Sequence, residues 1–299
     1  MNKYLPVLLF CVLGLVSCGD KNKIPTNEIH YTTIDNEVLP LENLLNFGEG
    51  RIVSNSYVQD RNLCILKFDK DVKEIGTEAF KECKSLTSIT IPPSVQKIDF
   101  CAFILCSSLT NVFIPSSVTE IGEGTFSCCS SLTSISIPPS VTKIGKEAFY
   151  ECTALTSVNL PKATSIESMA FKNCNHLTSV NLPSATSIGY GAFDNCIALT
   201  NVNMPKVISI TEYAFYGCSA LTSVNLPKAK SISPHTFVGC SSLTSLTFGS
   251  VIEHVTSSAF TNASTEQCDL TLAAEQTVGD PDVVNRTWVR YTWKSITIK

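Results

Sequence analysis

A phenylalanine recurs along most of this chain at a nearly constant interval. Successive members of the series are separated by 23, 23, 23, 22, 22, 22, 22 and 23 residues. The series consists of Phe80, Phe103, Phe126, Phe149, Phe171, Phe193, Phe215, Phe237 and Phe260. An isoleucine, or a valine in the last unit, precedes each phenylalanine by five residues. Self-similarity at a fixed period of about 20 to 50 residues indicates a repeat architecture.

Each unit contains two extended segments joined by a turn. Residues 155–160 alternate apolar and polar side chains, which predicts a short strand with one buried face. Pro161 ends this strand, because proline cannot donate to a β-ladder. The change from 23 to 22 residues falls directly after this proline, so the position is a turn that tolerates a deletion.

The remainder of each unit closes a coil. The piece that ends in Ile166, and its equivalents, predicts a second short strand, and a glycine such as Gly189 after this isoleucine predicts a tight bend. The Ala-Phe-x-x-Cys segment predicts a 3₁₀ or single helical turn. Because one unit cannot bury its own apolar residues and stacked units can, the chain is predicted to form a solenoid.

The unit resembles the leucine-rich repeats of BspA-type (treponemal-type) surface proteins, which read roughly C-x-x-L-T-x-I-x-I-P-x-x-V-x-x-I-G-x-x-A-F. The resemblance runs from Leu63 to Leu272. It implies a mainly β, right-handed solenoid with coils of 22 or 23 residues, short parallel strands and short helical or 3₁₀ turns. It also implies a surface lipoprotein of a Bacteroidetes-like bacterium that attaches to host matrix proteins or other bacteria.

The two ends of a solenoid need caps. The pattern predicts residues 63–272 as the solenoid, with Leu63–Phe68 as its first in-register strand and Asp269–Leu272 as its last. Residues 29–62 are the predicted N-terminal cap, with a hairpin turn at Asp35 and Asn36. Residues 273–299 are the predicted C-terminal cap, in which Trp288 and Trp293 form either a lid over the last coil or a sugar-stacking platform.

The first residues resemble a bacterial lipoprotein signal. Lys3 precedes an apolar stretch at 5–16, which is shorter than the roughly 20 residues that a membrane-spanning helix needs. The stretch ends at Ser17-Cys18, similar to a lipobox, so residues 1–17 are the predicted signal peptide, Cys18 the lipid-attachment site and 18–28 a tether. An ordinary signal peptide is the alternative. The chain is therefore expected to be an exported outer-membrane lipoprotein that is attached to the membrane only through Cys18. It is expected on the cell surface, and the periplasmic face of the membrane remains the alternative.

Eight cysteines follow the first eight repeat phenylalanines by three residues. Neighbouring rungs of a parallel ladder lie about 4.8 Å apart with parallel Cβ vectors, which suits a disulfide poorly. We therefore predict that these thiols are small buried apolar groups. Whether the cysteines outside this ladder, Cys64, Cys101, Cys128 and Cys268, form pairs is left open.

The sequence carries no recognisable catalytic machinery. It contains no nucleophile elbow, phosphate loop, dinucleotide fingerprint or H-E-x-x-H motif. Its four histidines have no recurring partner, and its net charge of −4 argues against nucleic acid as a ligand. We therefore expect no enzyme activity, catalytic residue, metal site or cofactor.

The outward residues of the first strands form a polar strip that is the candidate binding surface. One row runs Lys67, Thr90, Phe113, Ser136, Asn159, Asn181, Asn203, Asn225, Thr247 and Thr271, and a second row lies two residues earlier and includes Asn111. The candidate binding residues on this strip are Asn111, Phe113, Ser136, Asn159, Asn181, Asn203 and Asn225. Alternatively, the asparagines stabilise the solenoid by stacking, and Phe113 packs against a loop.

Three functions are consistent with these features. The first is a lipid-anchored recognition or adhesion protein that binds a protein, such as a host matrix protein, or a glycan through the solenoid surface. The second is a structural envelope protein without a dedicated ligand. The third is a glycan-capturing accessory lipoprotein, although Trp, Tyr and Phe do not cluster on the predicted face.

Overall fold

The computed structural model describes residues 24–276, 281–282 and 287–299, so the predicted signal peptide, Cys18 and most of the tether lie outside the described residues. In chain order the strands are β1 Glu28–Thr33, β2 Ile52–Val58, β3 Leu63–Phe68, β4 Glu74–Ile75, β5 Leu86–Thr90, β6 Lys97–Ile98, β7 Asn111–Phe113, β8 Glu120–Ile121, β9 Lys143–Ile144, β10 Ser157–Asn159, β11 Ser165–Ile166, β12 Ser179–Asn181, β13 Ser187–Ile188, β14 Asn201–Asn203, β15 Ser209–Ile210, β16 Ser223–Leu226, β17 Ser231–Ile232, β18 Ser245–Phe248, β19 His254–Val255, β20 Asp269–Leu272, β21 Thr287–Trp288, β22 Tyr291–Thr292 and β23 Ser295–Ile298. Short 3₁₀ helices span Leu41–Asn43, Gln59–Arg61 and Thr265–Gln267.

The predicted parallel solenoid is confirmed. The first strands of successive coils pair in register, so that Val158 lies beside Val180, and Val180 beside Val202. They form one sheet in the order β2-β3-β1-β5-β7 and another in the order β10-β12-β14-β16-β18-β20-β23. Single bridges at Ser134 and Ser136 connect the two sheets.

The second strands stack in the same way on another side of each coil. They pair in parallel in the orders β4-β6, β15-β13-β11-β9-β8 and β17-β19. The Ala-Phe-x-x-Cys segment then closes each coil with bonds between residues three apart, such as Cys174 N–H to the Phe171 oxygen at 3.2 Å. These bonds have the 3₁₀ pattern, and left-handed residues such as Met169 and Asn173 interrupt it.

A stack of nine phenyl rings forms the centre of the core. Neighbouring rings from Phe80 to Phe260 have centroids 5.1 to 5.7 Å apart and interplanar angles of 2 to 18°. All nine rings are fully buried. At the N-terminal end Phe47 meets Phe80 edge-on, and at the C-terminal end Trp293 meets Phe260 edge-on. Edge-to-face contact is a favourable way to end such a stack.

The ladder cysteines are buried, as the sequence predicts, and they are free thiols. They do not act only as buried apolar groups. Each thiol from Cys106 to Cys240 donates a hydrogen bond to the carbonyl oxygen of the phenylalanine in the preceding coil, at 3.0 to 3.3 Å. Cys83 donates to the Asn43 oxygen at 3.7 Å. The ladder therefore joins neighbouring coils through hydrogen bonds.

Two of the glycines that follow a repeat isoleucine lie in close contact with the preceding coil. A Cβ at Gly189 would lie 2.6 Å from the Glu167 carbonyl carbon, and one at Gly145 would lie 2.7 Å from the Gly122 carbonyl carbon. Neither glycine has a positive φ. At Gly145 and Gly189 a side chain would collide with the backbone of the preceding coil, whereas other coils carry residues such as Asp99 and Thr211 at the equivalent position.

The N-terminal end departs from the sequence prediction. Strand β1 lies between β3 and β5 and is antiparallel to both, so β3 is not the rung next to β5. The predicted hairpin at Asp35 and Asn36 is also wrong, because β3 lies between β1 and β2. The chain does bend there, with Asn36 in the left-handed conformation. The inserted strand pairs with the first edge of the parallel ladder, which would otherwise be open to association.

The C-terminal end adds a further parallel rung. Strand β23 pairs in register with β20, so Asp269–Leu272 is not the last strand of the sheet. The indole rings of Trp288 and Trp293 are fully buried, and the Trp293 N–H donates to the Trp288 oxygen at 3.3 Å. The prediction of a lid is confirmed, and the alternative of a sugar-stacking platform is wrong because neither ring is exposed.

Candidate binding surfaces

The structure brings the residues of the polar strip together in two straight rows. Parallel register places Asn159 beside Asn181 and Asn181 beside Asn203, and it places Asn111 beside Ser88. Ser136, Asn159, Asn181, Asn203 and Asn225 are exposed, whereas Asn111 and Phe113 are half-buried. Lys67 lies outside the strip because β1 separates its strand from β5.

Side-chain amides along the strip bond to one another. The Asn181 Nδ2 donates to the Asn159 Oδ1 at 2.8 Å, and the Asn203 Nδ2 donates to the Asn181 Oδ1 at 2.7 Å. This geometry is an amide ladder, consistent with the alternative that the asparagines stabilise the solenoid. Because each amide still presents atoms to solvent, the ladder also fixes the orientation of a repeating polar surface.

Phe113 marks a discontinuity in the strip. It pairs with Ser136 through a single β-bridge. The coil between β7 and β10 has no continuous first strand and contributes only isolated bridges at Ser134 and Ser136. The ring is half-buried among polar neighbours. The strip therefore contains one aromatic side chain at the junction of its two sheets.

The second strands carry paired charges from β4 to β9. Lys97 lies 3.7 Å from Glu74, and Lys143 lies 2.9 Å from Glu120, with each pair in register on adjacent strands. From β11 to β17, serine occupies the equivalent position, at Ser165, Ser187, Ser209 and Ser231, and His254 occupies it in β19. The charges are therefore largely satisfied within the solenoid.

A cluster of aromatic side chains lies on the segments that follow the second strands. We call Tyr190, Tyr213, Tyr216 and His235 the tyrosine cluster. The Tyr213 ring lies 5.4 Å from Tyr190, 5.6 Å from Tyr216 and 4.8 Å from His235, between ring centroids. Tyr190 is 41% exposed and Tyr216 is 36% exposed.

The tyrosine cluster was not predicted from the sequence, because the prediction considered aromatic residues on the predicted binding face of the first strands and on the C-terminal cap only. The positions of these residues within the repeat could have revealed the cluster. Tyr213 and His235 both stand two residues before the repeat phenylalanine, Tyr190 stands three before it, and Tyr216 one after it. Indexing every turn position against the nine phenylalanines would have placed all four side chains on neighbouring coils.

Within the described residues, no group of three or more His, Cys, Asp or Glu side chains is placed to hold a metal ion. The half-buried Cys128 has its sulfur 3.8 Å from a Glu151 oxygen, and burial raises its pKa above the usual range. A raised pKa disfavours the reactive thiolate. Across the part of the chain that the structure describes, no helix is both long and apolar enough to cross a membrane.

The chain is similar to known leucine-rich-repeat proteins in sequence and in fold. The profile of the BspA type leucine rich repeat region matches residues 50–177 and 164–275, with six copies. A solved leucine-rich-repeat protein of T. pallidum is 35% identical, with a TM-score of 0.50 over 51% of this chain and 73% of that one. One from Bacteroides ovatus is 26% identical, with a TM-score of 0.57 over 78% of this chain and 66% of that one. A search of curated proteins gave no match.

Proposed function

Because the chain belongs to the BspA-type leucine-rich-repeat family, we propose that it is a non-enzymatic recognition protein of the bacterial envelope. Solenoids of this type are typically binding scaffolds that use their long exposed faces. In this proposal the polar strip binds a protein ligand, such as a host matrix protein, or a glycan, and attachment of lipid at Cys18 holds the chain at the outer membrane.

The observation that carries this proposal is the exposed polar strip itself. Its asparagine and serine rows are in register and uncharged from Ser134 to Asn225. Parallel strands repeat at about 4.8 Å, so the strip presents amides and hydroxyls at a regular spacing. Many weak hydrogen bonds of this kind suit an extended partner, and the half-buried Phe113 adds one aromatic contact of the type enriched at binding hot spots.

Two experiments test the envelope location. Substitution Cys18→Ser should release the protein from the membrane fraction, because the acyl chains are the proposed anchor. Protease treatment of intact cells should remove the repeats while a periplasmic marker stays protected. Protection of the repeats in that assay would contradict surface adhesion.

Binding is tested with purified protein on immobilised extracellular-matrix proteins. The variant Asn159→Lys/Asn203→Lys places charge on the strip and should lower affinity about tenfold for a partner that it contacts. The control is Ser187→Lys/Ser231→Lys, which adds the same charge on the second strands, where Lys143 stands naturally. Phe113→Ala should weaken binding without changing the fold.

The amide ladder favours a second candidate, a structural envelope protein without a dedicated ligand. In that case the asparagines act only on stability, since their side chains bond to one another. Absence of saturable binding, together with a lower unfolding temperature in Asn181→Ala, would support this second candidate over the first.

A further inference from the structure

Next to the tyrosine cluster lies a buried carboxylate that lacks half of its expected partners. Asp194 and Tyr216 both directly follow a repeat phenylalanine in neighbouring coils, and the N–H of the adjacent Asn195 donates to the Tyr216 oxygen at 2.8 Å. Asp194 is only 8% exposed. Its Oδ2 lies 2.7 Å from the Lys172 ammonium, while its Oδ1 is buried without any hydrogen-bond partner. Buried polar atoms are nearly always paired, and each exception in a native structure calls for an explanation.

Gly191 lies beside this carboxylate. It stands between Tyr190 and the Asp194 turn, and a Cβ built on it would lie 3.6 Å from the Asp194 Cβ and 3.8 Å from its Oδ2. The same repeat position holds Tyr213 in the next coil and His235 in the one after. The row therefore carries no side chain at Gly191, between Met169 of the preceding coil and Tyr213 of the next.

The backbone at the cluster is held in a conformation that bulky residues rarely adopt. Tyr213 has a φ of 59° and His235 a φ of 58°, and the same repeat position is left-handed in the preceding coils as well, at Glu78, Cys101, Gly124, Glu147, Met169 and Gly191. A bulky side chain in this region costs on the order of 1 kcal/mol. The left-handed turn is thus a property of the repeat, and the cluster differs from the other coils only in placing aromatic side chains on it.

The charge balance indicates what kind of group would complete the site. Lys172 already compensates the Asp194 carboxylate, and their hydrogen bond raises the pKa of the Lys172 ammonium. A second cation would have to compete with Lys172 for the same charge. A neutral donor such as a hydroxyl could bond to the Asp194 Oδ1 without disturbing the ion pair.

We propose that the tyrosine cluster and Asp194 form a binding site for a neutral saccharide. The face of an aromatic ring is electron-rich, so the polarised C–H groups of a sugar ring can lie on Tyr190 or Tyr216. A sugar hydroxyl donates to the Asp194 Oδ1. The site lies away from the polar strip, on the segments that follow the second strands, and it deepens the proposed recognition function, on which it rests.

The test is affinity electrophoresis of the full chain through gels that contain neutral polysaccharides: glycogen, xylan, laminarin or yeast mannan. We expect retardation in at least one gel, and a loss of affinity of about tenfold in Tyr190→Ala/Tyr216→Ala. Asp194→Asn should also weaken binding, because the amide is a poorer acceptor. An array of glycoprotein glycans, with and without enzymatic deglycosylation, separates host glycans from free polysaccharides as the source of the sugar.

The matched control is Phe100→Ala. Phe100 stands at the same repeat position as Tyr190, three residues before the phenylalanine, and is 43% exposed, but it lies in a coil without the cluster. This variant should bind as the unmodified chain does. Failure to bind any polysaccharide or arrayed glycan would overturn the saccharide site, as would binding that survives the double tyrosine substitution.

Failure of this site is distinguishable from failure of the proposed function. The strip variant Asn159→Lys/Asn203→Lys should keep saccharide binding while it loses the matrix-protein ligand. If both variants lose both ligands although their circular dichroism is unchanged, the two surfaces are not separate and the saccharide site as described is wrong.

Discussion

The solenoid consists of two halves that share one core and differ on the outside. In the long-turn half, seven residues from proline to isoleucine connect the strands, at 92–98, 115–121 and 138–144. In the short-turn half, six residues do so, at 161–166, 183–188, 205–210 and 227–232. The phenyl stack and the thiol ladder run through both halves without a break in geometry.

The outer surfaces of the two halves have different chemistry. The long-turn half carries charged pairs such as Glu120 with Lys143 on its second strands. The short-turn half carries serine there, and it also holds the amide ladder and the tyrosine cluster. The core tolerates one deleted turn residue, so each half is free to develop its own surface. The comparison teaches that surface chemistry can change along the array while the core stays the same.

Alkaline pH should unfold both halves together, which is the largest effect that we expect. Burial raises the pKa of Cys129 in the long-turn half and Cys196 in the short-turn half well above the usual range. A thiol with a raised pKa in the folded state contributes its stability fully below pH about 9, and this is lost as the pH rises toward the folded value. The loss is about 1.4 kcal/mol per thiol for each pH unit.

Urea unfolding followed by far-UV circular dichroism between pH 7 and 11 measures this decline. The control variant Cys129→Ala/Cys196→Ala should be less stable at pH 7, yet its stability should fall by about 3 kcal/mol less per pH unit above pH 9. A solenoid that keeps its neutral-pH stability at pH 10.5 would show that the ladder thiols do not govern folding.

Truncation of one ring in each half should test whether the core is shared equally. Phe126→Ala and Phe193→Ala each remove a fully buried ring from the stack, and each should lower the free energy of unfolding by about 3–5 kcal/mol. Thermal and urea unfolding measure the change. A difference between the two variants greater than about 2 kcal/mol would mean that the halves are packed to different degrees.

One inserted residue should convert a short turn into a long one at little cost. Insertion of a proline after Pro183 together with Ala185→Val reproduces the pattern at 138–143 except for its lysine. We expect a loss of at most about 1 kcal/mol, since loop insertions on a surface are tolerated. The control is one residue inserted between Ser179 and Val180, which moves inward side chains to the outer face and should unfold the neighbouring coils.

Removal of a charged pair should have the smallest effect. Lys143→Ser eliminates the contact with Glu120, and because both side chains are about half exposed we expect a loss below about 1 kcal/mol that disappears in high salt. Ser209→Lys places a lysine at the equivalent position of the short-turn half and should change stability no more. A large, salt-independent loss of unfolding free energy in Lys143→Ser would contradict the view that these surface charges contribute little to stability.

The sequence predicts the periodic part of this molecule well. Positions such as Leu155, Ile166 and Phe171 recur in every coil, because each must fill the same place against its neighbours. Their spacing therefore reveals strands, turns and core without reference to any structure. The burial of the thiol ladder follows from the same reasoning.

The non-periodic features could not be predicted in this way. The pairing of β1 between β3 and β5 joins segments far apart in the chain, and no repeat position marks it. The bond from Cys174 to the Phe149 oxygen depends on the exact path of the backbone. Asp194 and its unpaired oxygen are visible only once the turn around Gly191 is known.

The edge-on rings of Phe47 and Trp293 also limit the places in the array where further coils can be added. A further phenyl cannot stack on a ring that is already covered edge-on, so the copy number of coils cannot rise by addition at either end. Duplication must act inside the array. The heptapeptide LTSVNLP occurs there three times, beginning at Leu155, Leu177 and Leu221. The interior of the short-turn half is thus the part of the molecule in which whole coils can be gained or lost while both caps stay in place.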